Sequence, residues 1–113
     1  MADTKQNLTK KINRIILGWS KQKGISVSKI IIFGSSVTGR KHRDSDIDII
    51  VISKDFRNTT IFERSDLTSG VGWELVKQTK KPFDVLYFSD REWRTSNSLI
   101  INAAKKSGSV IFG

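Results

Sequence analysis

Residues Ile30 to Ser53 read IIIFGSSVTGRKHRDSDIDIIVIS, and the reading of the whole chain turns on them. An apolar run closes on Phe33-Gly34-Ser35, a polar and basic loop follows, and a second apolar run opens with Ser45-Asp46-Ile47-Asp48. Folding alone gives no reason to put two aspartates at the head of so hydrophobic a strand. Residues two apart on a strand face the same way. Their α-carbons then stand about 6.6 Å apart, at roughly 3.3 Å per residue. Two ionised carboxylates that close repel each other. A divalent cation converts that repulsion into binding, and hard cations such as Mg²⁺ take oxygen ligands.

The flanking strands follow from the same stretch. Val27 to Phe33 and Asp46 to Ser53 read as the first two strands, and neither shows polar alternation beyond the aspartates, so both faces are expected to be covered. The tight turn over Ser35 to Gly39 and the short charged loop Arg40 to Ser45 favour an antiparallel pair. Upstream, Leu8, Ile12, Ile15, Ile16 and Trp19 mark one face of an amphipathic helix. Asp3 and Thr4 suit its start, Lys21 and Lys23 its C-terminal dipole, and Gly24 its stop.

Downstream, Lys54 to Asn58 reads as a turn. Gly70 and Gly72 interrupt any long helix, so an irregular segment is expected over Thr59 to Ser69, followed by a helix through Trp73, Val76 and Thr79 that ends at Lys81-Pro82. Pro82 to Phe88 is the third strand and carries Asp84. Ser89-Asp90 suits a cap for a following turn or helix. Ser96 to Lys106 reads as an amphipathic helix, Gly108 stops it, and Val110-Ile111-Phe112 is a short last strand or a packed tail. The fold class is α/β (α+β): a small mixed sheet of three or four strands packed by helices. Residues 1–113 are expected to form one domain, a size that suits one real core.

Composition narrows the chemistry. The chain has no cysteine, which excludes disulfides and thiolate metal sites and fits a reducing cytoplasm. No apolar run approaches a membrane span, and the N-terminus lacks the apolar core of a signal peptide. Lysine and arginine number 20 against 11 acidic residues, a net charge of +9 that favours anionic partners such as nucleotides, RNA or an acidic protein surface. The basic residues are scattered, with no RNA-binding signature among them.

Three aspartates carry the chemistry: Asp46 and Asp48 on the second strand and Asp84 on the third. Adjacent strands lie about 4.8 Å apart, so Asp84 completes a carboxylate triad if the third strand neighbours the second. Such a triad can hold one or two Mg²⁺ ions. Gly34 lets the backbone approach a phosphate, and the Ser35 hydroxyl can donate to it. Arg40, Lys41 and Arg43 add positive charge. The run Gly34-SSVT-Gly39-Arg40-Lys41 is not a P-loop, because arginine stands where the lysine is required and lysine where Ser/Thr is required. His42 reads as a solvated loop residue; Trp19, Trp73 and Trp93 read as core or interface anchors, and Tyr87 as packing.

Gly34-Ser35, ten residues from Ser36 to Ser45, then Asp46-x-Asp48 resembles the signature of the DNA polymerase beta-like nucleotidyltransferase superfamily, and the size is similar to its minimal nucleotidyltransferase (MNT) branch. Gly39, Ser45, Asp84 in PFDVLYF and the tail AAKKSGSVIFG extend the resemblance over nearly the whole chain, whereas Ser36 departs from it where many relatives carry arginine. The resemblance implies a nucleotidyltransferase fold in which Asp46 and Asp48 coordinate Mg²⁺, Asp84 helps with the catalytic metal and activates the attacking hydroxyl, and Gly34 and Ser35 hold the triphosphate. It implies transfer of a nucleoside monophosphate from ATP, or another nucleotide, to an acceptor hydroxyl. It further implies an antitoxin that pairs with a small helical HEPN toxin, in some members by attaching AMP to a tyrosine. Two other classes stay open: a binding module that neutralises a partner by masking it, and an RNA-end nucleotidyltransferase. The base of the donor, the acceptor, homo-oligomerisation and the role of Thr59 to Gly72 are not fixed by the sequence.

Overall fold

The computed structural model of the protein describes residues 5–33 and 47–113. Helix α1 (Lys5–Lys23) buries Ile12, Ile15, Ile16 and Trp19, the face marked by the sequence period. Lys21 and Lys23 sit in its last turn, where cations complement the exposed carbonyls. Gly24, at φ +71°, turns the chain in a conformation that a side chain would strain. Asp3 and Thr4 lie outside the described residues.

Strand β1 (Val27–Phe33) pairs antiparallel with β2 (Ile47–Ser53), with Ile30 opposite Val51 and Phe33 opposite Asp48. Ile30, Ile31 and Ile32 in β1 and Ile49 to Ile52 in β2 are all buried, so both faces are covered as the unbroken apolar runs require. The chain leaves β2 through a 3₁₀ turn (Lys54–Phe56), where the Ser53 hydroxyl accepts from the Asp55 amide at 3.0 Å and Phe56 inserts into the core.

The next element corrects an expectation. Residues 61–67 are not irregular: α2 (Ile61–Leu67) is a helix opened by a capping box, in which Thr60 Oγ1 accepts from the Glu63 amide and Glu63 Oε1 accepts from the Thr60 amide. The pattern Thr-x-x-Glu outweighs the glycines, which fall only at its far end. No residue of α2 is buried. Arg64 holds the helix down: its guanidinium donates to the carbonyls of Tyr87 at 2.9 Å and Phe56 at 2.8 Å and to the Thr59 hydroxyl at 3.0 Å, and it pairs with Glu92 at 2.9 Å.

Helix α3 (Val71–Thr79) follows Gly70, itself at φ +93°, and buries Val71 and Leu75 against α1 and the sheet. Strand β3 (Phe83–Phe88) runs parallel to β2. Ser89 and Glu92 form a second capping box at the start of α4 (Asp90–Thr95). Helix α5 (Leu99–Ser107) begins three residues later than the expected Ser96, because the Ser98 hydroxyl takes the cap and accepts from the Ile101 amide at 3.1 Å. Gly108 then allows the chain to turn closely into β4 (Ser109–Phe112); a Cβ there would lie 2.5 Å from the Ala104 carbonyl oxygen. Strand β4 pairs antiparallel with β1, which gives a mixed four-stranded sheet in the order β3-β2-β1-β4.

The sheet divides the core. On one face α1 and α3 cover Ile30, Ile32, Ile47, Ile49 and Val51, with Phe56 packed among them. On the other, α4 and α5 cover a smaller cluster of Ile31, Ile50, Ile52 and Ala104, edged by Trp93. Each buried isoleucine contributes about 1.5–3 kcal/mol relative to exposure. Among the described residues, no helix is long and apolar enough to cross a membrane.

Candidate active site

Alternation along β2 decides where its acidic residue goes. Ile47, Ile49 and Val51 join the larger cluster, while Ile50 and Ile52 join the smaller one. Asp48 belongs to the second set by its even position. In β3, Leu86 and Phe88 pack on that same smaller cluster, so Asp84 also belongs to that face. The parallel register pairs Asp48 directly with Asp84. Neighbouring strands bring their α-carbons to about 4.8 Å. Asp48 is half-buried and Asp84 exposed.

Parallel pairing places the N-terminal ends of β2 and β3 at the same end of the sheet, which is why both aspartates, each the second residue of its strand, arrive together. The C-terminal end of β1 lies there as well: Phe33 is opposite Asp48. Both attachment points of the segment between them, Phe33 and Ile47, are therefore at the acidic end. Gly34, Ser35 and Asp46 lie outside the described residues, as do Ser36, Gly39, Arg40, Lys41, His42, Arg43 and Ser45. Of the three expected aspartates, the structure brings two together and describes no position for the third.

The Ile47 amide donates to the Pro82 carbonyl at 2.9 Å, which ties the start of β2 to the turn before β3. That turn also brings Lys80 and Lys81, both exposed, to the acidic end. The sequence reading took Lys81-Pro82 only as a helix stop. The overlooked signal is the Lys-Lys-Pro run, whose second lysine lies three residues ahead of Asp84.

The donor set fits a hard cation. Carboxylate oxygens on paired strands suit Mg²⁺, and the chain has no thiolate to offer a softer metal. Among the described residues, no cluster of three metal-binding side chains occurs.

Other groups divide into supports and packing. Trp19 is buried in the larger core, as an anchor, while Trp73 is largely exposed. Tyr87 packs edge-on to Phe56 with ring centroids 5.7 Å apart, and burial pushes its phenol above the ordinary range, so it has no tendency to ionise. A cavity of about 460 Å³ opens between α1 and α3, lined by Arg14, Trp19, Gln22, Glu74 and Gln78. It lies on the opposite face of the sheet from Asp48 and Asp84 and forms no part of this site.

Solved structures share this fold. A chain of a toxin–antitoxin crystal structure with AMP-PNP superposes with a TM-score of 0.62 at 22% identity, covering 89% of this chain and 73% of that one. A mutant of the MntA toxin–antitoxin complex gives 0.62 at 20% identity, with 90% and 73% covered. A complex of a tri-AMPylated Shewanella oneidensis HEPN toxin with its MNT antitoxin gives 0.56 at 17% identity, with 93% and 72% covered. At these identities the likeness is one of fold. No curated protein matches the chain significantly. The model of the nucleotidyltransferase domain family matches residues 12–109, a span that runs from the middle of α1 into β4 and includes both aspartate-bearing strands. On that match, the chain belongs to the nucleotidyltransferase domain family.

Proposed function

We propose that the protein transfers a nucleoside monophosphate, AMP from ATP, to an acceptor hydroxyl on a helical HEPN toxin, and that it serves as the antitoxin of that pair. The observation that carries the reading is the Asp48–Asp84 register at the N-terminal end of the β2–β3 pair. Family membership supports the reaction class, and the similar complexes, one with AMP-PNP and one with an AMPylated HEPN toxin, support the donor and the acceptor. The same reading takes residues 1–113 as one minimal nucleotidyltransferase domain working in the cytoplasm.

In this reading Asp46, Asp48 and Asp84 hold one or two Mg²⁺ ions. Mg²⁺ held by these carboxylates would supply charge neutralisation for the phosphate oxygens and the departing pyrophosphate. Gly34 and Ser35 bind the triphosphate tail through backbone amides and a hydroxyl. Asp84 accepts the proton of the acceptor hydroxyl. The oxygen forms a bond to the α-phosphorus, the bond from that phosphorus to the bridging oxygen breaks, and pyrophosphate leaves with the electron pair. Positioning and charge neutralisation supply most of the catalysis in such a transfer.

Label transfer from α-labelled ATP with Mg²⁺ tests this. The wild type is compared with Asp46→Asn and Asp48→Asn, with and without the HEPN protein. Label on the partner that disappears in the variants is the expected result. A tight complex that carries no label, and still neutralises the toxin with the Asp46→Asn variant, would replace catalysis by masking.

A further inference from the structure

The outer strands of the sheet are β3 and β4, and their free edges are not alike along their length. An edge strand carries a row of backbone N–H and C=O groups with no neighbouring strand. On β4, the Asn13 side-chain amide donates to the Ile111 carbonyl at 2.6 Å. On β3, the Arg64 guanidinium donates to the Tyr87 carbonyl at 2.9 Å. Side chains thus plug the edges at both points. Among the described residues, nothing plugs β3 at Phe83 and Val85.

The register shows which groups are open there. The Ile47 amide donates to the Pro82 carbonyl, so the even residues of β3 direct their backbone groups to β2. Direction alternates along a strand, and Phe83, Val85 and Tyr87 therefore direct theirs outward. The bond from Arg64 to the Tyr87 carbonyl agrees. Phe83 and Val85 hold out two N–H donors and two C=O acceptors, repeating at about 6.6 Å. Between them stands the exposed Asp84, on the face that Leu86 and Phe88 share.

Donors alternating with acceptors match the backbone of an extended polypeptide. The charged oxygens of a polynucleotide only accept, and here they would meet two carbonyls and the Asp84 carboxylate. Charge also disfavours a second copy of this chain. The one two-fold antiparallel register that uses all four groups sets Asp84 opposite itself, and like charges directly opposed destabilise a pair. We infer that the β3 edge at Phe83 to Val85 receives an extended segment of the acceptor polypeptide as an added antiparallel strand, with the acceptor hydroxyl opposite Asp84. The inference rests on the proposed role of Asp84 toward that hydroxyl. Phe83 and Val85 exchange hydrogen bonds with the residues on either side of the acceptor, the mode of recognition by strand addition. The acceptor residue falls at a non-hydrogen-bonded position, where opposed α-carbons approach to about 4.5 Å. Its two neighbours point to the other face, beside the half-buried Phe83 and Val85, so the fitting sequence is apolar–hydroxyl–apolar.

The test is an NMR titration of the isotope-labelled full-length protein without ATP or Mg²⁺. The probe is an uncharged, end-blocked heptapeptide of threonine and valine, with a central tyrosine flanked by valines. Saturable shifts centred on the Phe83 and Val85 amides, with slowed exchange of their protons, are the expected result. N-methylation of the two flanking valines, whose amides face the edge, is expected to weaken binding roughly tenfold or more, the scale of two lost hydrogen bonds. N-methylation of the central tyrosine, whose amide faces away, is expected to weaken it far less. In the protein, Val85→Pro deletes an outward N–H and no bond to β2, a change that edge strands tolerate, and is expected to weaken binding of the unmodified peptide. If that variant unfolds, the two N-methylated peptides decide alone. No saturable shift, shifts centred elsewhere, or equal binding by the two N-methylated peptides overturns the proposal. A single-stranded oligouridylate that shifts the same two amides as strongly overturns it too. Asp48→Asn, expected to be inactive in transfer, is expected to bind the peptide as the wild type does, so failure of transfer and failure of docking are read separately.

Discussion

Odd and even residues of β2 do different work. Ile47, Ile49 and Val51 face the larger cluster and meet α1 and α3; Ile50 and Ile52 face the smaller one and give way, at the strand's start, to Asp48. One face of the strand is core from end to end. The other is core at Ile50 and Ile52 and acidic only at Asp48. A single residue step therefore separates side chains that stabilise the sheet from a half-buried carboxylate paired with Asp84. The difference teaches that this site costs the fold little, since the larger cluster is complete without it.

That division can be broken deliberately. The largest effect is expected from Asp48→Asn: transfer activity should fall about 10³-fold, the scale of losing a principal electrostatic contributor at a reacting centre, while the melting temperature stays the same or rises. A parallel loss of stability and activity would show that Asp48 belongs to the core instead. One residue along, Ile49→Ala should do the reverse. Denaturant unfolding should report a loss of about 2–5 kcal/mol for a fully buried aliphatic cut to alanine, with activity retained in the fraction that stays folded.

Smaller effects sharpen the contrast between buried elements and α2. Arg64→Ala removes three hydrogen bonds and one ion pair from a helix without a buried residue. We expect a loss of about 1–3 kcal/mol, the range for leaving buried carbonyl acceptors unsatisfied. Hydrogen exchange should speed up first in residues 61–67. Thr60→Ala, which deletes one half of the capping box, should cost about 1 kcal/mol and fray the same helix at its start.

The smallest effect is a pH signature. The Arg57 guanidinium donates to the Asp90 carboxylate, and this bond draws the Asp90 pKa down to about 2, from about 4 in an unfolded chain. A carboxylate depressed on folding adds stability above its unfolded pKa, and that stability is lost as pH falls through the folded value. Melting curves of wild type and Asp90→Asn should therefore converge between about pH 4 and pH 2. A constant gap across that window would mean that the carboxylate charge contributes nothing to the pairing.

Much of this was legible in the sequence. Unbroken runs such as Ile30-Ile31-Ile32-Phe33 announce strands covered on both sides, and α1 and β3 follow from equally plain periodicity. The neighbour relation of β2 and β3 stood as a condition, and the structure meets it. Helix α2 was missed because it buries nothing: hydrophobic period is the usual helix signal, and here a capping box and one arginine replace it. The start of α5 was misplaced because Ser96 and Ser98 both suit a cap, and only geometry selects Ser98. Asp46, Gly34 and Ser35 stay as the sequence left them, outside the described residues.

Parallel strands need a long return path, and here that path runs from Lys54 to Pro82. It is anchored at its ends, by the Ser53 cap and by the bond from Ile47 to Pro82, and in between by Phe56, Arg64, Val71 and Leu75. Leu67 adds a partial contact with the larger cluster, and most other residues along the path are exposed or half-buried. Evolution can therefore rewrite most of this crossover without disturbing the register of Asp48 and Asp84. The register of the two carboxylates is thus set by a few anchors, and the length and surface of the path between them are free of that constraint.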